Sequence, residues 1–368
     1  MSEYSGIAIV HEWWARYGGA ETVVSQMINS AEVEDCWILN FENPRSEYSH
    51  IPREIRESWL SRLTFVKSKK LRVALSPVVY RTLTLKKYKT VILSSHTFAH
   101  TAKLARDSKT TYLSYVYTPS RSLWLPTIDQ RIGSGLPYRL GGEVLKKFDK
   151  KAHGHVQSFV SISKTVQDRL RDFWEVESQV IYPPVDIEGI KNHLNDKFEP
   201  PYGSGDYLVS AGRFVPYKQH AFSLKVAKAV GMPIVIMGSG PEETNLRRLA
   251  EVEKINARFI IAPDRTTWVN ILAHAHSLLF PAEEDFGIVP IESICVGTPV
   301  IAYGRGAASE YVSEYTNGKL IPDLNLESWT WGVNSQMDKC EVDAGSVSKF
   351  NTQRFDYEFR KWINENTY

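Results

Sequence analysis

Cysteine is scarce, with three in 368 residues (Cys36, Cys295 and Cys340), odd in number and far apart. That spacing offers neither a disulfide framework nor a C-x-x-C metal pair, and it fits a reducing, cytoplasmic setting. Long apolar runs are missing too: none approaches the length of a membrane span. The polar start Met-Ser-Glu-Tyr-Ser-Gly leads into Ile7–Val10, which is too short for the core of a secretory signal. Any membrane contact is therefore expected to be peripheral. His11, His96, His100, His153, His155, His274 and His276 form no i, i+4 pair on a helical pattern, so no metal site is expected. There is no G-x-S-x-G elbow, no phosphate-cradling Walker sequence and no recognisable nucleic-acid-reading module. A formal net charge of +2 leaves the choice of partner to how charge is distributed.

What is present is a recurring unit: a short β-rich apolar run, a polar or glycine turn, then a helical pattern. The runs are Ile7–Val10, Val91–Leu93, Tyr112–Val116, Ser158–Ile162, Leu208–Ser210, Ile234–Met237, Phe259–Ile261, Leu278–Phe280 and Val300–Ala302. Strands alternating with helices imply parallel sheets covered on both faces, and this many units in this length imply two of them. The class is α/β throughout. Ile181-Tyr-Pro-Pro-Val-Asp186 ends one strand on two prolines, and Pro200-Pro-Tyr-Gly-Ser-Gly205 approaches a fresh one. The domain change is expected near residue 184, giving domains 1–183 and 184–349.

From Ser58 to Arg106 there is no Asp or Glu, while Arg62, Lys67, Lys69, Lys70, Arg72, Arg81, Lys86, Lys87 and Lys89 crowd in. Apolar residues from Trp59 to Leu75 are interleaved with them, as in a basic amphipathic element able to rest on anionic headgroups. The alternative is a solvated basic face whose apolar side lies in the core.

Two constellations carry chemistry. In Phe280-Pro-Ala-Glu-Glu-Asp-Phe-Gly-Ile-Val-Pro-Ile-Glu-Ser293 a strand ends, a loop bears Glu284, and a helix begins around Gly287 with Glu292 inside it. Such turns at the C-terminal ends of parallel strands are where open α/β sheets bind ligands. The first N–H groups of that helix, near Phe286, Gly287 and Ile288, suit phosphate oxygens. Glu284 suits sugar hydroxyls and Glu292 ribose hydroxyls. In Leu208-Val-Ser-Ala-Gly-Arg-Phe-Val-Pro-Tyr-Lys218 a strand delivers Gly212 and Arg213, and Lys218 follows before a helix. Two fixed cations on one turn suit a diphosphate and the charge that develops on it as it leaves. An interdomain salt bridge is the structural alternative. Gly18-Gly19 opens a helix after the first strand, just beyond Trp13 and Trp14. Gly238-Ser-Gly240 lacks the third glycine of a dinucleotide fingerprint and is read as a turn only.

Gly212-Arg213 to Lys218, Gly238-Ser-Gly-Pro-Glu, Glu284 to Glu292 and Gly297-Thr-Pro-Val-Ile together resemble the family 4 glycosyltransferases. The likeness is strong over 181–322 and extends more loosely through Gly18-Gly-Ala-Glu21, and it is nearest to bacterial mannosyltransferases that build lipid-linked or surface polysaccharides. The resemblance implies a GT-B fold, two Rossmann-like domains with the site in the cleft between them, and a C-terminal helix, 350–368, packing back on domain 1–183. It implies retaining, metal-independent transfer of a hexosyl group from a nucleotide sugar, with GDP-mannose the best guess, and no cofactor. It assigns Arg213 and Lys218 to the diphosphate, Glu284 to the donor sugar, Glu292 to the ribose and Gly19 to the phosphates. The acceptor implied is lipid-linked or glycan, with membrane contact through 59–89 and no nucleic acid. Close family members carry His-Thr-Pro after an N-domain strand; here Tyr115-Val-Tyr-Thr-Pro119 puts Tyr117 in the place of that histidine. His96, after the Val91–Leu93 strand, is the candidate to substitute. The other readings are a UDP- or dTDP-sugar donor, an epimerase or phosphorylase on the same fold, and a glycosyltransferase-like scaffold that binds without turnover.

Overall fold

The computed structural model describes residues 5–14, 19–41, 55–61, 69–80, 82–83, 85, 87–102, 109–126, 128, 136–313, 316–335 and 341–367. Gly18, Cys340 and most of the basic positions between 62 and 70 lie outside the described residues or side chains. The chain divides into two compact units, Met1–Pro184 with Gln353–Tyr368, and Val185–Thr352.

Unit 1 is built on a seven-stranded parallel sheet in the order β3-β2-β1-β4-β5-β6-β7. Its strands are β1 (Ser5–Trp14), β2 (Val33–Phe41), β3 (Ile55–Glu57), β4 (Tyr88–Ser95), β5 (Thr111–Val116), β6 (Ser158–Ser161) and β7 (Gln179–Val180). The central strands are apolar on both faces because helices cover both: Ala8, Ile9, Val10, Val91, Ile92 and Leu93 are fully buried. Helices α1 (Gly19–Ser30), α2 (Lys69–Tyr80), α3 (Arg121–Trp124), α4 (Leu136–Ala152) and α5 (Lys164–Arg169) supply the crossovers that parallel strands require. The last helix, α12 (Thr352–Asn366), returns to this unit. Its Trp362 Nε1 donates to Ser158 Oγ at 2.9 Å, and its Asp356 accepts from Gln26 on α1 at 2.6 Å.

Unit 2 holds a six-stranded parallel sheet in the order β10-β9-β8-β11-β12-β13. These are β8 (Leu208–Ala211), β9 (Ile234–Gly238), β10 (Ala257–Ile261), β11 (Ser277–Phe280), β12 (Val300–Tyr303) and β13 (Gly318–Ile321). Before β8 lies α6 (Ile187–Asn192); between the strands run α7 (His220–Val230), α8 (Glu243–Val252), α9 (Arg265–His274) and α10 (Ile288–Cys295), and α11 (Leu326–Asn334) follows β13. The core joins Leu208, Ile234, Ile236, Leu279 and Ile301 of the strands to Leu224, Val226 and Trp329 of the helices. Both sheets are thus parallel and helix-covered, the α/β class expected from the alternation of runs. Among the described residues, no helix is long and apolar enough to cross a membrane.

Candidate active site

In unit 2 the strand order reverses between β8 and β11, which pair with each other while β9 and β12 continue in opposite directions. The connections from two such strands cross to opposite faces, leaving a crevice beyond their C-terminal ends. Both sequence constellations fall there. β8 leads into Gly212-Arg213, a 3₁₀ turn at Pro216–Lys218 follows, and β11 leads into the loop bearing Glu284. Lys218 Nζ and Glu284 Oε1 form an ion pair, each side chain nearly buried. The Lys218 ammonium also lies 5.7 Å from the centre of the Phe280 ring. Arg213 is exposed and carries no ion pair among the described residues. The two expected diphosphate cations therefore differ: one is matched to a carboxylate, the other is open to solvent.

The Arg213 turn is held from two sides. Gly212 N–H donates to Met237 O at 2.9 Å and Phe214 N–H to Ser239 O at 2.8 Å, so the end of β9 lies directly on it. A Cβ at Gly238 would meet Gly212 O at 1.9 Å, which only glycine avoids. From the other side, His220 Nδ1 lies 2.9 Å from Ser210 Oγ and its Nε2 3.2 Å from Arg213 O. Burial, then Lys218 nearby, lowers the His220 pKa to about 4, so the ring is neutral and donates from Nε2 to the carbonyl. Gly238-Ser-Gly240 thus fixes the cation-bearing turn.

The Glu284 loop leads into α10 through Gly287, whose φ of +83° and 2.7 Å separation of a would-be Cβ from Tyr311 Oη both demand glycine. Tyr311 Oη lies 2.6 Å from Phe286 O and 2.9 Å from Gly287 O, sharing its proton between them. Phe286 is buried edge-on against Tyr311 and Phe350. Ala307 N–H donates to Glu284 O at 2.9 Å and fixes the backbone of that residue. Ile288 starts α10, and no side chain caps the N–H groups there, which leaves them able to meet an anion. Glu292, inside α10, is buried; its Oε1 meets Arg265 Nη1 at 2.7 Å and its Oε2 accepts from Trp268 Nε1 at 2.8 Å. Burial raises the Glu292 pKa, against the pull of Arg265 and Trp268. Burial and Glu292 together push the Cys295 thiol up to about 12, so it is not a nucleophile at neutral pH. Arg265 and Trp268, which hold the Glu292 carboxylate, were not singled out from the sequence.

In unit 1 the strand order reverses between β1 and β4. At their C-terminal ends lies a second constellation, centred on a residue that sequence reasoning missed. Glu12 is buried, and its carboxylate accepts from the backbone N–H groups of His96, Phe98 and Ala99. His96 Nδ1 is 3.1 Å from Glu12 Oε2, with the imidazole 28% exposed. Burial raises the Glu12 pKa; the N–H donors and His11 oppose it. The sequence signal was there: an acidic residue at the end of an otherwise apolar parallel strand.

Tyr117, after β5, is buried. A directed chain runs from His11 Nδ1 to Ser94 Oγ (2.9 Å), on to Tyr117 Oη (3.1 Å) and to Ala20 O (3.2 Å). Burial, reinforced by His96, lowers the His11 pKa to about 3, and burial lifts the Tyr117 phenol far above its usual range. Tyr117 therefore ties β5 to the start of α1. Gly19 begins α1 and is exposed, Trp13 is half-buried, and Trp14 is buried edge-on to His11 at 6.4 Å. Among the described residues, no group of three or more His, Cys, Asp or Glu side chains is placed to hold a metal ion.

The two parallel sheets, each with its helices, define the GT-B class of fold. Solved structures share it over nearly the whole chain. The Anabaena protein Alr3699/HepE, solved with UDP-glucose, aligns with a TM-score of 0.69 at 14% identity, covering 98% of this chain and 99% of that one. The apo lipopolysaccharide outer core galactosyltransferase WaaB aligns at 0.64 and 16% identity, covering 98% and 99%. In sequence, residues 193–343, which hold both constellations of unit 2, match the family model described as glycosyl transferases group 1. The D-inositol 3-phosphate glycosyltransferase of Mycolicibacterium smegmatis is 27% identical over 191 residues, 48% of this chain and 44% of that protein. The α-1,3/1,6-mannosyltransferase ALG2 of Saccharomyces cerevisiae is 24% identical over 224 residues, 50% of this chain and 44% of that protein. The matches span less than half the length of these relatives.

Proposed function

We propose that this chain is a retaining glycosyltransferase of family 4 that moves a hexosyl group from a nucleotide sugar to a lipid-linked or glycan acceptor in surface polysaccharide synthesis. The observation that carries the reading is the Lys218–Glu284 pair at the β8/β11 reversal, beside the exposed Arg213 and the uncapped start of α10. A donor diphosphate at that helix start takes Arg213 and Lys218 as its cations, Lys218 exchanging a carboxylate for a phosphate oxygen. Glu284 is then released to accept hydrogen bonds from the donor sugar. Glu292, oriented by Arg265 and Trp268, accepts from the ribose.

As the sugar departs, negative charge grows on the phosphate, where the two cations and the α10 dipole stabilise it. The leaving phosphate oxygen takes the acceptor proton on the same face, and with Arg213 and Lys218 at the diphosphate the proposed reaction calls for neither metal nor cofactor. In unit 1, Gly19 at the start of α1 serves the phosphates, and His96 takes the part of the family histidine, with Glu12 orienting its ring. Tyr117 and Trp13 frame that side.

GDP-mannose is our first donor, a choice supported by the mannosyltransferase among the relatives. UDP-glucose is the second reading, supported by the HepE structure solved with it. The enzyme is cytoplasmic and meets the inner membrane face through 59–89. Thermal-shift titration with GDP-mannose, UDP-glucose and a dTDP-sugar, followed by transfer of labelled sugar to a lipid extract, tests the reading. One donor is expected to stabilise the protein. Lys218→Ala and Glu284→Ala are each expected to cut transfer by roughly 10²–10³ or more. Near-normal turnover in either variant overturns the assignment.

A further inference from the structure

Helix α4 is set into unit 1 with a charge inward and apolar side chains outward. Asp149 is fully buried, accepting from Trp124 Nε1 at 2.7 Å and Trp174 Nε1 at 2.8 Å, and facing His100 Nε2 at 3.0 Å. Those four groups fix the rotation of the helix. On the outer side Val144 is 69% exposed, Leu145 44% and Phe148 37%. Val144 and Phe148 are one turn apart and so form a stripe, with Leu145 beside it. Lys147 and Lys151 run along the same outer surface, exposed and with no ion pair among the described residues. The other two lysines are matched, Lys146 to Glu143 at 3.0 Å and Lys150 to Glu175 at 2.5 Å. Scattered exposed apolar residues mean little; three on one helical stripe, bordered by two unmatched cations, make a patch.

The charge selects the occupant. A second copy meeting this stripe about a twofold axis would set Lys147 and Lys151 against themselves. An anionic bilayer accepts both the apolar stripe, at the depth of the acyl boundary, and the lysines, at the headgroups. The position agrees with this: α4 and the basic helix α2 both touch the 3₁₀ turn Ala99–Thr101.

We propose that the Val144–Leu145–Phe148 stripe of α4, with Lys147 and Lys151, is a further surface that, in addition to 59–89, seats this protein on an anionic membrane. The inference rests on the peripheral placement proposed above but names a different segment from 59–89, and it is independent of the donor chemistry.

The test is co-sedimentation of the full chain with vesicles of phosphatidylcholine alone and of phosphatidylcholine mixed with phosphatidylglycerol. Two variants probe the stripe: Lys147→Glu with Lys151→Glu, and Val144→Ser with Leu145→Ser and Phe148→Ser. A third, Lys67→Glu with Lys69→Glu and Lys70→Glu, probes the other segment. Circular dichroism and the donor thermal shift report folding. Wild type is expected to bind anionic vesicles at least about tenfold more tightly than neutral ones. Each α4 variant is expected to lose about tenfold or more while keeping its fold and donor shift. Wild-type binding by the α4 variants overturns the proposal, whatever the third variant does. So does a lack of vesicle binding by wild type, or a concentration-dependent dimer that both α4 variants abolish. Loss of the donor shift in wild type with vesicle binding intact would instead strike the glycosyltransferase reading alone.

Discussion

A carboxylate shut away from water must be matched by donors, and Glu12 is matched mainly by backbone. Three N–H groups and one imidazole nitrogen converge on its two oxygens. Removing the carboxylate strands those N–H groups in a buried site, each costing about 1–3 kcal/mol when unmade. Glu12→Ala is therefore expected to destabilise the protein by roughly 3–5 kcal/mol, the range for breaking a buried charged cluster. Glu12→Gln keeps one acceptor oxygen and should fall between alanine and wild type. Urea unfolding checks the order; an alanine variant within about 1 kcal/mol of wild type would show that the turn does not depend on Glu12. The contrast with Glu284 is chemical. The partner of Glu284 is a lysine side chain, which the proposed donor phosphate would draw away, whereas the partners of Glu12 are mainly backbone groups around His96–Ala99. On the proposed reading Glu284 changes partner when the donor binds, whereas Glu12 keeps its fixed donors, although both stand at strand ends.

At the scale of elements, the cation-bearing turn after β8 and the turn after β9 act as one piece. Gly238→Ala places a methyl where Gly212 O now lies, so one of the two turns must move. The expected outcome is a loss of about 2–3 kcal/mol in stability together with loss of the donor thermal shift. Normal nucleotide affinity in this variant would show that the Arg213 turn is set by other contacts. How far such elements were legible depends on what their sequences carry. The nine apolar runs read as strands are strands here, because a strand covered on both faces is apolar throughout. Three others were missed for particular reasons, while β7 was read only through the two prolines that end it. β2 carries Glu34, Asp35 and Asn40 among its apolar residues, and β3 is three residues long. β13 begins on glycine and carries Lys319. The chemistry-bearing residues after β8 and β11 stood out because strand ends of parallel sheets are where polar residues have a use. Their ion pairing was hidden, since it links turns far apart in the chain. Glu12 left no side-chain partner pattern to read, and the rotation of α4 depends on two tryptophans from other elements.

Across the whole molecule the two units repeat one plan, a parallel sheet whose strand order reverses beside a turn that positions a carboxylate. Each also buries a histidine next to that turn, His11 in unit 1 and His220 in unit 2. Their pKa values fall from 6.5 to about 3 and about 4, with burial the first cause in both. The sign follows from proton counting. Below about pH 6.5 the unfolded chain protonates these histidines while the folded chain does not, so stability is fully present above that pH. It is lost as pH falls from 6.5 toward the folded values. His220 alone contributes roughly 3 kcal/mol to this loss at about 1.4 kcal/mol per pKa unit. Glu12 and Glu292, whose pKa values are raised, bind protons more readily when folded and offset part of the fall. Variants isolate the histidine share. His220→Asn is expected to be less stable than wild type near pH 7, having lost its bond to Ser210 or to Arg213. From about pH 7 to about pH 4.5, however, it should lose fewer kcal/mol than wild type, because no buried imidazole remains to protonate. Urea unfolding at the two pH values measures both differences. An equal fall in variant and wild type would mean that the acid sensitivity of unit 2 arises elsewhere than at the histidine behind Arg213.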